Sequence, residues 1–524
     1  MYERIVLPNG ARIVCEHMDG VRSASLGIWV GAGSRYERYS EAGSAHFIEH
    51  MLFKGTSRWS AAELAERMDA VGGQMNAYTT RDNTCFYARV LDTHLPLATD
   101  TLCAMFFDSR FDERDVENEK GIIQEEIDMY EDTPEDVAAE RLIAGCFPGA
   151  LGRPVLGRSS SLARQTGESL RAFMARHYAA PRVVAALSGS FTDEDLRELA
   201  RRFSAMPAAK PKKPERSAYR PCLTLRRKAT EQNQLVLGFP GLETASSERF
   251  ALQLLSGILG GNASSRLFQS VREKHGLCYS IYSFTAGFED TGLFAVAAAT
   301  NRDTEARALG LIMDELRRLL DGGVTEEELS RAREQVKATI LMSLESTGSR
   351  MNRLGYGELF LGGALSPDEL IERYVLSWDT RKLSQAAMET LAIVAYLQPV
   401  TRSGVTSVRG VNSDSSINSL VEKGLVREAG VADAPGNPTL YATTRAFLEK
   451  FGLRSTADLP DLDQFAPDDD TRAFIRERLS ATREDAFVAD DARLDGDEAD
   501  PLDGVRFELD DEGPGSIAES PREE

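Results

Sequence analysis

His46-Phe47-Ile48-Glu49-His50 is the stretch on which the reading of this chain turns. On an α-helix the two histidines stand four residues apart, about 40° around the axis, so both imidazoles leave from one face with Glu49 beside them. Two imidazoles and a carboxylate hold zinc with one tetrahedral position left for water, and a neighbouring carboxylate can take that water's proton. In the order His-x-x-Glu-His the internal Glu is the base, and the third ligand must come from elsewhere in the chain. With 6 His among 524 residues, roughly 0.006 chance matches are expected, so accident is a poor explanation. His17, His94, His177 and His275 have no partner at ligand spacing and read as structural or surface residues.

Downstream, Glu119-Lys-Gly-Ile-Ile-Gln-Glu125-Glu126 falls in a helical pattern over 114–130. Glu119 and Glu126 are two turns apart on one stripe, so one can bind metal while the other supports a ligand from behind. Around these helices the chain alternates strand-like runs at 23–30, 74–80 and 84–90 with helical runs at 41–53, 61–71 and 168–177. Arg81-Asp82-Asn83 leaves room only for a hairpin between the last two strands. Residues 1–205 therefore read as an α+β body with a largely antiparallel sheet. A proline- and lysine-rich connector, 206–220, separates it from a second body, 221–374, of similar element order. There, 234–239 and 279–284 read as strands, and 302–320 and 325–346 as long amphipathic helices.

A different pattern occupies 379–455. Three short helices at 384–397, 402–408 and 413–423, then strands at 425–428 and 438–443, form a winged-helix order. Its expected core is Leu391, Ile393, Val394, Ile417, Leu420 and Leu425. Residues 456–524 read as a disordered acidic tail, with one transient helix at 470–479. Residues 455–524 hold 23 Asp/Glu against 7 Arg, so they carry −16 of the net charge of −21. No basic stripe runs through the rest, which argues against nucleic acid as a partner. No run reaches the length of a membrane helix and the N-terminus has no apolar leader, so a cytoplasmic protein with no membrane partner is expected. The 6 cysteines are scattered and read as reduced, mostly buried thiols.

Gly43-Ser-Ala-His-Phe-Ile-Glu-His-Met-Leu-Phe-Lys-Gly-Thr56 resembles the active-site helix of the pitrilysin and insulinase family of zinc peptidases, which includes mitochondrial processing peptidase. The resemblance covers about 2–374. It implies Zn2+ on His46, His50 and Glu126, with Glu49 as general base and acid and Glu119 behind a ligating histidine. It also implies that Asn76 and Ala77, on an edge strand, hold the main chain of an extended peptide substrate. Arg272 and Tyr279, seven apart as in the family, would support the developing oxyanion. The active unit is expected to be a homodimer.

After residue 374 the family pattern stops short of a closing helix and strand. Arg381-Lys-Leu-Ser-Gln-Ala-Ala-Met-Glu-Thr-Leu-Ala-Ile-Val-Ala-Tyr396 and Arg409-Gly-Val-Asn-Ser-Asp414 instead resemble the second winged-helix domain of bacterial segregation and condensation protein B. That likeness implies a kleisin partner. Two incomplete domains meeting near 374–381 point to a gene fusion, a frameshift-type join or an artefact of assembly. Two functions therefore compete: a zinc metalloendopeptidase acting on extended or unfolded peptides, and a chromosome segregation and condensation subunit whose peptidase half is incidental or inactive.

Overall fold

The computed structural model describes residues 2–209, 214–376, 384–432, 434–451, 453 and 455–460. The acidic tail beyond 460, the helix read at 470–479 and most of the junction at 374–381 lie outside the described residues. The chain divides into two compact units, Met1–Thr380 and Arg381–Glu524.

The first unit contains two sheets. Strands β1 (Glu3–Val6), β2 (Arg12–His17), β3 (Ser23–Val30), β4 (Gln74–Thr79), β5 (Thr84–Leu91) and β6 (Val183–Gly189) form a six-stranded sheet in the order β1-β2-β6-β3-β5-β4. All its pairs are antiparallel except β2 with β6. Strands β7 (Asn233–Pro240), β8 (Cys278–Gly287) and β9 (Gly292–Thr300) form an antiparallel sheet in the order β7-β9-β8. The helices of the first body are α1 (Ser44–Leu52), α2 (Ala61–Asp69), α3 (Leu95–Asp108), α4 (Glu113–Asp132), α5 (Pro134–Cys146), α6 (Ser159–Leu162), α7 (Gly167–His177) and α8 (Asp193–Phe203). The second body adds α9 (Arg249–Gly260), α10 (Glu305–Gly322), α11 (Glu326–Ser343), α12 (Thr347–Phe360) and α13 (Pro367–Leu376).

Packing explains why β3 is apolar along nearly its whole length. Its alternate residues Ala24, Leu26, Ile28 and Val30 enter the main core with Phe47, Ile48 and Phe173. Its other face, led by Trp29, meets Met351 and Leu354 of α12, so neither face touches water and period-two patterning fades. Helix α12 belongs to the second body in sequence, yet it lies across β2, β3 and β6 of the first. The approach is close: a Cβ at Gly355 would stand 2.2 Å from Trp29 Nε1, and Ser25 Oγ bonds Thr347 Oγ1 at 2.9 Å. The exchange is mutual. Helix α5 of the first body covers the second sheet, placing Leu142 against Gly238 of β7, while the opposite face of that sheet packs on α9 and α10. Between the bodies the buried Arg35 guanidinium bridges Asp82, in the β4–β5 turn, at 3.0 Å and Asp290, in the β8–β9 turn, at 2.9 Å.

In the first sheet β3 is flanked by β5 and β6, whereas β7 pairs only with β9 among the described residues. All but the last residue of β7 are partly exposed, where β3 is buried beyond Ser23.

The second unit holds α14 (Gln385–Leu397), α15 (Arg402–Arg409), α16 (Asp414–Glu422) and α17 (Arg445–Phe451), with β10 (Val400–Thr401), β11 (Val426–Val431) and β12 (Thr439–Thr443) in the order β10-β12-β11. Leu391, Val394, Ile417, Leu420 and Leu425 are buried in its core, and Ile393 packs against it half-buried. The short β10 and helix α17 carry too little pattern to be read from sequence.

Candidate metal centre

Helix α1 begins at Gly43, whose φ of 92° lies in the left-handed region. A Cβ there would also stand 2.9 Å from the Leu156 carbonyl oxygen, so glycine is required for the chain to turn into the helix. Glu37, buried, accepts the backbone N–H groups of Gly43 and Ala45, each at 2.8 Å. A carboxylate at this end satisfies donors the helix leaves open and sits favourably against the helix dipole. Burial nonetheless pushes the Glu37 carboxyl up to about 8, against those two hydrogen bonds.

From this anchored helix His46 and His50 project side by side, ring centroids 4.6 Å apart, and α4 brings Glu126 opposite. Glu126 Oε2 lies 3.6 Å from His46 Nε2 and 3.5 Å from His50 Nε2. One ligand atom from each of the three residues falls within 4.8 Å of the others. Zinc–nitrogen and zinc–oxygen bonds of about 2.0–2.2 Å in a tetrahedron set ligand atoms roughly 3.3–3.5 Å apart, so the spacing fits that ion. The donor chemistry fits as well. Burial, followed by repulsion from His50, lowers the His46 pKa to about 3, which leaves a neutral imidazole. His50 Nδ1 bonds Glu119 Oε1 at 2.8 Å, which orients its Nε2 toward Glu126. Glu119 is itself buried and held by Lys54 Nζ at 2.6 Å.

Glu49 lies close enough to feel the charges of His50 and Glu126, and its Oε2 accepts the hydroxyl of Thr79 on β4 at 2.6 Å. Burial raises its pKa; the Thr79 bond and His50 oppose this. Strand β4 is one of the two edges of the six-stranded sheet, opposite β1, and carries Asn76 and Ala77. The Asn76 side chain accepts the Ala77 N–H at 2.8 Å, so a strand docking at that position must replace this local bond. Arg272 sits in a π-helical turn and Tyr279, 74% exposed, is the second residue of β8. The guanidinium lies 5.6 Å from the Tyr279 ring centre and 4.5 Å over Phe268. The two residues are together, but neither has a hydrogen bond or ion pair to His46, Glu49, His50 or Glu126 among the described residues. Glu37, Lys54 and Thr79 are participants that sequence reasoning did not single out. Lys54, four residues beyond His50, was the one with a usable spacing signal.

The chain resembles known proteins in sequence and in fold. The profile of the insulinase family, peptidase family M16, matches residues 12–159, and that of the peptidase M16 inactive domain matches 165–336. An uncharacterized zinc protease of Bacillus subtilis is 42% identical over 373 residues, 71% of this chain and 91% of that protein. One from Streptomyces coelicolor is 42% identical over 71% of this chain and 83% of its own length. A crystal structure of a peptidase M16 inactive domain from Pseudomonas fluorescens shares the fold at a TM-score of 0.66 and 22% identity, over 72% of this chain and 91% of that one. A protease from Helicobacter pylori does so at 0.66 and 19%, over 73% and 94%. The profile of the segregation and condensation complex subunit ScpB matches 364–462, beginning ahead of the seam expected at 374–381. No helix among the described residues is long and apolar enough to cross a membrane.

Proposed function

Because this chain belongs to peptidase family M16, the insulinase family, we propose that its first unit is a zinc metalloendopeptidase that cuts extended peptides. The observation that carries this reading is the convergence of His46, His50 and Glu126, with Glu119 fixing His50 from behind. A zinc ion held by those three residues supplies Lewis acidity toward water and the scissile carbonyl. Glu49, steered by Thr79, takes the proton from the attacking water and returns it to the departing amine. A substrate strand extends the sheet at β4, with Asn76 and Ala77 gripping its main chain. Arg272 and Tyr279 donate to the oxyanion from the second body of a partner subunit, so the active unit is a homodimer. The setting is cytoplasmic.

Elemental analysis and turnover of a quenched peptide test the assignment together. His46→Ala, His50→Ala and Glu126→Gln should lose both zinc and activity; Glu49→Gln should lose activity and keep zinc. Full zinc retention by His50→Ala overturns it.

The second unit favours a further reading, since the ScpB profile covers it and it has a core of its own. It would bind a kleisin fragment. Helix α16 offers little to phosphates: Asp414 and Glu422 lie on it, with Lys423 as its C-cap. Calorimetry of the full chain against a kleisin C-terminal fragment and duplex DNA separates the outcomes, and DNA binding without kleisin binding refutes the partner.

A further inference from the structure

Cys146 and Cys222 are far apart in sequence but adjacent in the fold. Cys146 is the last residue of α5 and is 1% exposed, whereas Cys222 is exposed. Their sulfurs stand 3.6 Å apart, and among the described residues no other two cysteine sulfurs are in contact. The backbone holds them in place. Arg220 N–H donates to the Cys146 carbonyl at 2.8 Å, and the Tyr219 hydroxyl donates to the Gly238 carbonyl of β7 at 2.9 Å. Lys228 Nζ meets Asp132 Oδ1 at 2.7 Å at the other end of the same stretch. Gly145 supplies the space: a Cβ there would lie 2.6 Å from Cys222 Sγ.

We propose that Cys146 and Cys222 are a modification site, an oxidisable dithiol that closes to a disulfide by exchange with a small-molecule disulfide of the glutathione class. The sulfurs need to approach by only about 1.5 Å to reach a bond of ~2.05 Å. The order of events follows from burial. The exposed Cys222 thiol loses its proton to solvent, and its thiolate attacks oxidised glutathione, forming a mixed disulfide and releasing one glutathione thiolate. The Cys146 thiol then loses its proton, and its thiolate attacks the Cys222 sulfur and expels the second glutathione. Two protein thiols and one glutathione disulfide become one protein disulfide and two glutathione thiols. Burial and the adjacent sulfur push the Cys146 thiol up to about 11, so the exposed Cys222 is the thiol that meets the small-molecule disulfide first.

The bond would fasten the stretch leading into β7 to the helix that the first body lays across the second sheet. It therefore acts on the joint between bodies and stands apart from the metal centre.

The full chain treated with oxidised glutathione, then alkylated and mapped by mass spectrometry, provides the test. The expected product is a peptide pair joined through Cys146 and Cys222, with Cys15, Cys85 and Cys103 still alkylatable after denaturation. Cys146→Ser should stop at a stable glutathione adduct on Cys222, and Cys222→Ser should form neither adduct nor cross-link at 146. The thermal midpoint of the wild type should rise on closure and fall back with dithiothreitol. A wild-type glutathione adduct on Cys222 that never resolves, or no reaction at either thiol, overturns the proposal. Circular dichroism confirms that each serine variant is folded.

Discussion

Replacing Glu119 by Ala removes one buried carboxylate that serves two partners, and its cost can be worked out from the geometry. Glu119 Oε1 holds His50 Nδ1 at 2.8 Å and Oε2 holds Lys54 Nζ at 2.6 Å. Without it the His50 ring loses its tautomer lock and its orientation toward Glu126, and the ligand becomes less basic. Losing such a support typically lowers metal affinity about 10- to 100-fold, or roughly 1.4–2.8 kcal/mol. Glu119→Gln keeps an oxygen for the imidazole N–H but loses its charge, and should fall between wild type and Ala. Zinc affinity is measured by competition with a chromogenic chelator at fixed pH, alongside urea unfolding of the metal-free proteins to separate ligand positioning from folding. A Glu119→Ala affinity within twofold of wild type would refute the argument that this carboxylate positions His50.

Gly355→Ala drives a methyl into Trp29 at the α12–β3 crossing and should cost about 1–3 kcal/mol, read from urea midpoints. Arg35→Met leaves Asp82 and Asp290 facing each other without their cation; breaking a buried pair in this way costs about 3–5 kcal/mol, and adding Asp82→Asn and Asp290→Asn should recover part of it. His177, packed on Phe173 at 4.4 Å, has its pKa lowered to about 4 by burial and then by Arg176 and Arg182. The folded state therefore binds fewer protons than the unfolded one, so stability should fall as pH drops from about 6.5 toward 4, with a shallower fall in His177→Gln when urea midpoints are compared across that range.

What could be read in the chain was whatever local spacing encodes. His46 and His50 share a helix face by arithmetic, and Glu119 and Glu126 do so by the same rule, but which of the two carboxylates faces the metal came from the family resemblance and not from spacing. The hairpin of β4 and β5 was equally legible, because Arg81-Asp82-Asn83 permits little else. Strand β6 was not: Val183-Val-Ala-Ala-Leu-Ser-Gly189 is buried on both faces and has no alternation to detect. Thr79 beneath Glu49 and Glu37 at the start of α1 depend on contacts between separate segments, which sequence spacing does not express. Helix α12 was not read from the sequence, where the helical pattern was taken to end at 346, and nothing in Met351 or Leu354 says that the sheet beneath them belongs to the other half.

That last point bears on what the connector at 206–220 is for. With α12 laid over the first sheet and α5 over the second, each half's buried face is completed by a piece of the other. A protease nick between Pro207 and Glu215 would therefore not yield two free proteins. The severed pieces would travel together through a sizing column as one particle and part only in denaturant, and neither would be soluble if expressed alone. A cut there leaves the packing of α12 and α5 in place, so the expected contribution of the link at that point is to keep the two halves within reach of each other while they assemble.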